Sequence, residues 1–152
     1  MTDSGVVVID AGGSPYQAKR MLAGIRTVTP APLRWLILTH HHPDHSFGAI
    51  VFKRLGAKVI AHPDRTMLAA EGGDDALVAS WDQVVGLREL NGFAFADTPD
   101  LPITHDTTLT LGGRRIDVLH PPNAHTVADL AVWLPDDSVL FAGDLVVEDG
   151  VT

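Results

Sequence analysis

Three short apolar runs frame the first half of the chain. Val6–Asp10 (VVVID) and Trp35–Thr39 (WLILT) are continuous rather than alternating, the mark of strands covered on both faces. Lys58–Ala61 (KVIA) is a third and shorter run. After the first run, Gly12 and Gly13 break the strand. Ser14-Pro15 then supplies an N-cap and a proline at the first helical position, with Gln17 at the capping-box position. The pattern predicts a helix from there to about Ile25, followed by a stiff connector at Thr29-Pro30-Ala31-Pro32. Ile50, Val51, Phe52 and Leu55 suit a helix closed by Gly56. One further helix is expected to begin near Pro63. Another is expected from about Asp75 to Leu90, where Leu77, Val78, Trp81, Val84 and Val85 form an apolar stripe. Trp81 is read there as a core or lid contact.

Beyond Pro102 the period changes from helical to alternating. Thr107–Leu111 and Arg114–His120 flank Gly112-Gly113, a hairpin signal. Ala128–Leu134 and Ser138–Ala142 flank the tight turn Pro135-Asp136-Asp137. Strand–helix alternation thus gives way to hairpins. The expected architecture is a single α/β domain over residues 1–152, a mixed sheet with flanking helices.

Composition narrows what such a domain does. Eleven Lys+Arg against nineteen Asp+Glu give a net charge of −8, which disfavours nucleic acid as a partner. The absence of cysteine removes disulfides, thiolate metal sites and cysteine nucleophiles together. No apolar run approaches the ~20 residues of a spanning helix, so no membrane partner is expected. The first ten residues carry no basic, signal-like segment. These features do not fix the compartment: a soluble protein of the cytoplasm is the default expectation, with the periplasm open if a leader has been removed. The sequence lacks GxSxG, GxxxxGK[ST], GxGxxG and HExxH.

Histidine is the unusual component: eight in 152 residues, four of them between His40 and His45. In extended backbone, side chains two apart share a face, so His40 and His42 point the same way. Pro43 holds His42 extended. Asp44 and His45 follow at the turn into the next helix and can aim at a point beside the first pair. His125 lies in a loop between two strands, and Asp144 follows Gly143 at the end of an apolar strand. Imidazole and carboxylate together suit Zn, Fe or Mn. His41 is expected in a supporting or surface role, as are His62, His105 and His120. Of these, His120 is the best placed to brace a ligand. Asp10, charged at the end of a buried strand, is read as a hydrogen-bonding support rather than a ligand.

The ordered set of HxHxDH after an apolar strand, AHT, and GD closing a strand resembles the metallo-β-lactamase superfamily of hydrolases. VVVIDAG matches that family's Asp-Gly turn. The resemblance runs from about Val6 to Leu145 and implies an αββα sandwich. It also implies that His40, His42 and His125 hold a first metal, that Asp44 and His45 hold a second, and that Asp144 bridges both. The metals would be two zinc ions with a bridging hydroxide. Asp44 would orient that nucleophile and take its proton, and the target would be an ester, thioester or lactam-type bond of a small molecule. An aspartate at the bridging position resembles the glyoxalase II-like and general hydrolase branches. Persulfide dioxygenases of the same superfamily imply an alternative, one iron held by His40, His125 and Asp144.

Two departures from the family pattern shape the expectation further. Only five residues precede Val6, where the family has extra strands, and only eight follow Asp144, where it has a second half with one more histidine ligand. The domain is therefore expected to be an incomplete sandwich with a weakened second metal site. Its open sheet face would be covered by the remainder of a longer chain or by a second copy. A mean hydropathy of +0.14 fits a piece that expects a cover. An inactive metal-binding fragment is the other expectation.

Overall fold

The computed structural model describes residues 1–64 and 72–146. Strand β1 (Val6–Ile9) leads through helix α1 (Pro15–Val28) into β2 (Leu33–Ile37). Two short helices, α2 (Pro43–Ser46) and α3 (Ala49–Arg54), precede β3 (Lys58–Ala61). Helix α4 (Gly73–Val85) precedes the two-residue strand β4 (Leu101–Pro102). Four strands complete the order: β5 (Thr107–Leu111), β6 (Arg114–Leu119), β7 (Ala131–Leu134) and β8 (Val139–Phe141). The helix expected to begin near Pro63 falls mainly on residues outside those described.

The strands form two sheets of four, in the orders β1-β2-β3-β4 and β5-β6-β7-β8. The first is parallel throughout and the second antiparallel throughout. The mixed sheet that the hydrophobic pattern predicts is resolved into a parallel and an antiparallel sheet packed face to face, the two central layers of the αββα sandwich that the resemblance implies. Buried strands predict burial, but lateral neighbours are set by packing over long sequence separations.

The period of two along each parallel strand explains the layering. Val6 and Val8 of β1, Leu36 of β2 and Val59 of β3 join a core with Ala18 of α1 and Phe52 of α3. The intervening Val7, Ile9, Ile37 and Ile60 join a second core with Ile116, Val118 and Val132 of the antiparallel sheet. One sheet is therefore covered by helices on one face and by the other sheet on the second. Three layers, helix, sheet and sheet, are present among the described residues, and the outer helical layer of the implied αββα sandwich is not among them. Burial of side chains such as Leu36 and Ile60 stabilises the stack by about 1.5–3 kcal/mol each.

Local signals act as the sequence predicts at most junctions. Ser14 accepts a hydrogen bond from the Gln17 N–H at 3.0 Å, and Gln17 Oε1 accepts from the Gly13 N–H at 2.9 Å. Gly112 and Gly113 both have positive φ, as a two-residue hairpin of this hand requires. Helix α4 ends at Val85 rather than near Leu90, because Gly86 takes φ 86°.

Candidate metal centre

The centre lies where β2 ends, on the C-terminal side of the parallel sheet. Thr39 and His40 continue the β2 backbone beyond Ile37, and His42 is held extended at φ −58°, ψ 149° by the proline that starts α2. The His40 and His42 rings consequently lie 4.6 Å apart, centroid to centroid. The first turn of α2 brings His45 back to 4.3 Å from His40. The loop between β6 and β7 delivers His125 to 5.1 Å from His40 and 4.8 Å from His42. Asp144 arrives from a 3₁₀ turn (Gly143–Leu145) after β8. Gly143 takes φ +54°, and a Cβ there would lie 2.9 Å from Thr39, so only glycine lets this turn approach.

Asp10 organises two of the ligand candidates through defined proton positions. Its Oδ1 accepts the Thr39 backbone N–H at 2.8 Å. Its Oδ2 accepts both the Thr39 hydroxyl, at 2.9 Å, and His45 Nδ1, at 2.8 Å. With the Thr39 proton committed to Asp10, His40 Nδ1, 3.1 Å from Thr39 Oγ1, must be the donor of that pair. The lone pair of His40 is then on Nε2. That atom is buried and has no hydrogen-bond partner among the described residues. His45 is tethered in the same way, which leaves its Nε2 facing Asp144 Oδ1 at 3.1 Å and Asp44 Oδ2 at 3.3 Å. Asp10 itself takes φ 57°, a conformation costly for a residue with a Cβ. Its three hydrogen bonds hold it there.

Electrostatics prepares these groups differently. Burial, followed by the neighbouring His45, His42 and His125, pushes His40 down to about 2. It is therefore a neutral imidazole at ordinary pH, the form that ligates. For His45, burial works against the charged form, but hydrogen bonds to Asp10 and Asp44 outweigh it and raise the group to about 10. The His45 hydrogen bond in turn holds the Asp44 carboxyl below its ordinary value, against the opposing effect of burial.

Two donor sets emerge, His40–His42–His125 and His40–His45–Asp144, each with its ligand atoms within 4.8 Å of one another. The orphaned His40 nitrogen and the nitrogen–oxygen donors around it fit one or two divalent cations. The structure thus brings together all six residues singled out in the sequence, with two differences of detail. His40 stands in both sets rather than one. Asp44, its side chain 53% exposed, sits beside His45 rather than within either tight set. Asp144 turns one oxygen to His45 and the other to His125, 3.7 Å from its Nε2.

The supporting residues divide. His120 does not reach a ligand: its Nδ1 donates to the Asp129 carbonyl at 2.9 Å, and its ring stacks on His62 at 4.5 Å. His41 is 7% exposed, not on the surface, and lines a small cavity with His62 and Asp97. His105 is exposed. Sequence reasoning missed Thr39, whose hydroxyl joins Asp10 to His40. A threonine at a strand end is too ordinary to signal this, although its place directly before the histidine run was a usable hint. Trp81 donates from Nε1 to the Gly13 carbonyl at 2.7 Å and packs over that glycine, next to Asp44.

The arrangement has close counterparts. A family model of the metallo-beta-lactamase superfamily matches residues 2–152. The linear primary-alkylsulfatase of a Pseudomonas species is 23% identical over 168 residues, covering 93% of this chain and 31% of that protein. The metallo-beta-lactamase type 2 of Bacillus cereus is 26% identical over 145 residues, covering 95% of this chain and 48% of that protein. Among solved structures, a metallo-beta-lactamase from Pontibacter korlensis superposes with a TM-score of 0.73 at 26% identity, covering 99% of this chain and 60% of that one. The chain spans about half the length, or less, of these curated relatives. With the family pattern matched along nearly its whole length, the chain belongs to the metallo-beta-lactamase superfamily.

Proposed function

We propose that this chain carries the metal-binding half of a metal-dependent hydrolase acting on an ester, thioester or lactam-type bond of a small molecule. The observation that carries the reading is the pair of donor sets sharing His40. In this reading His40, His42 and His125 hold one zinc ion. His45 and Asp144, with Asp44 beside them, would hold a second, Asp144 standing between the two donor sets. Bound zinc would lower the pKa of its water to about 7 and polarise the scissile bond, so no protein nucleophile is needed. The relatives named alkylsulfatase and metallo-beta-lactamase support hydrolysis as the reaction class.

The chain's own residues supply position and protons. Asp10 and Thr39 fix the tautomer of His40 and the ring of His45. Asp44, more than half exposed beside His45, is suited to orient a nucleophilic water by accepting its hydrogen bond and to take its proton as general base.

One observation favours a second reading. Among the described residues the tight two-histidine, one-carboxylate set, the donor pattern of mononuclear iron oxygenases, is His40, His45 and Asp144 rather than the expected His40, His125 and Asp144. Elemental analysis of the purified chain with its mass decides between them. Two zinc ions per chain support the hydrolase, one iron with oxygen uptake supports the alternative, and no bound metal overturns both. On this reading His40→Ala is expected to lose the ion held with His42 and His125, and His45→Ala the ion held with Asp144, so each variant should keep one ion. Parental metal content in either variant would refute the ligand role of the residue removed.

A further inference from the structure

We propose that Asp129 is a positioning residue that aims His125 at the metal centre, an inference that rests on the metal-binding reading above. Asp129 is 3% exposed. It lies four residues beyond His125, in the loop between β6 and β7, where no strand ladder holds the backbone. Its carboxyl grips the residue directly after His125 with both oxygens. Oδ2 accepts the Thr126 N–H at 2.6 Å, and Oδ1 accepts the Thr126 hydroxyl at 2.8 Å.

The Thr126 N–H belongs to the peptide plane that joins it to His125. Fixing that N–H fixes the plane, and with it the position of the His125 Cα and the direction of its Cα–C bond, which leaves rotation about that bond as the remaining freedom on this side. The grip is itself anchored at three points. Thr126 Oγ1 accepts the Ala128 N–H at 3.0 Å, the Asp129 carbonyl accepts His120 Nδ1 at 2.9 Å, and the next residue, Leu130, donates its N–H to the Thr39 carbonyl at 2.7 Å. Thr39 is the residue that links Asp10 to His40, so Asp129 ties the His125 loop to the frame that sets His40. The outcome at the far end is His125 Nε2 held 3.0 Å from His42 Nδ1. Asparagine cannot replace this arrangement in full, since it offers one acceptor oxygen where two donors converge.

The test uses the full chain and cobalt(II), whose visible spectrum reports the ligand set, alongside urea unfolding of the chelator-treated chain. Asp129→Ala is expected to weaken cobalt binding by roughly 10–100-fold in the folded protein. Asp129→Asn should fall between it and the parent. Thr126→Val, which keeps the N–H and loses only the hydroxyl, should weaken binding less than Asp129→Ala, and it remains readable if Asp129→Ala does not fold. A purely structural Asp129 would lower the urea midpoint while the folded fraction bound cobalt unchanged, and that result overturns the proposal. The imidazole nitrogen signals of His125 and His42 in the metal-free chain provide a second readout. If the parent binds no cobalt but these signals shift in Asp129→Ala, the positioning role stands and the metal reading fails. If the parent binds cobalt and Asp129→Ala binds it equally well, the positioning role fails alone.

Discussion

His40 and His45 share one small volume but are displaced in opposite directions, His40 to about 2 and His45 to about 10. Linkage turns this into a stability profile for the metal-stripped chain. Between its folded value and the ordinary 6.5, His40 stays neutral in the fold while the unfolded chain takes a proton, so acidification favours unfolding. Between 6.5 and about 10, His45 keeps a proton that the unfolded chain has lost, so raising the pH also favours unfolding. The two contributions together peak near pH 6.5. Urea midpoints measured with chelator at about pH 5, 6.5 and 8.5 should be highest in the middle. His40→Ala should flatten the acid side and His45→Ala the alkaline side. A parent profile still rising at the alkaline end would contradict the His45 assignment. The gathering of these residues was legible in the sequence, because strand-end histidines two apart share a face and a proline fixes the second. Their unequal electrostatics was not. It depends on burial and the surrounding imidazoles at His40, and at His45 on the hydrogen bonds to Asp10, 35 positions away, and to Asp44; the sequence marked Asp10 as a support but not which ring it would serve.

Among the α-helices described, α4 is held least by apolar packing. No residue of Gly73–Val85 is buried, although the stripe Leu77, Val78, Trp81, Val84 and Val85 has helical spacing. A stripe shows which face would be buried, not whether something covers it. The helix and the segment after it are fastened instead by individual contacts. Trp81 Nε1 donates to the Gly13 carbonyl, Ser14 Oγ donates to Glu89 at 2.9 Å, and Phe93 packs on the buried Phe47 at 4.4 Å. Trp81→Phe keeps an aromatic ring but loses the N–H and part of the indole, and the lost hydrogen bond alone is worth about 0.5–1.5 kcal/mol in the local closure of α4. Amide exchange over residues 73–85 should accelerate several-fold while the urea midpoint hardly moves. Uniform acceleration across the chain would show that α4 is part of the global fold. The two-residue β4 was not visible in the pattern either, since Leu101-Pro102 is a strand only by its pairing with Ile60 and Ala61 of β3.

At the level of the molecule, the second sheet ends, among the described residues, in an edge strand with no outer neighbour. Among the described residues, strand β8 pairs with β7 on one side alone, and its three residues Val139, Leu140 and Phe141 are 40%, 51% and 40% exposed. Through the register with Leu134 and Val132, Val139 and Phe141 belong to the face turned towards the parallel sheet, whereas Leu140 lies opposite Trp133 on the outer face. The cleft between the sheets is open at this end and lined by Val7, Ile9, Leu134 and Phe141. An apolar edge with free ladder groups is a template for another strand, and no lysine, proline or bulge blocks β8. Because the chain spans only part of its relatives' length, two occupants fit the edge: a further segment of a longer chain, or a second copy of this one. For the 152-residue chain alone, the expected outcome is concentration-dependent self-association through β8, measured by light scattering. Leu140→Lys puts a charge on the outer face and leaves the inter-sheet core untouched, so it should shift the protein towards monomer while the metal content stays the same. A parent chain that stays monomeric over the whole concentration range would remove the second copy as an occupant. Loss of metal in Leu140→Lys would instead place the edge in the support of Asp144, which enters the centre three residues after Phe141.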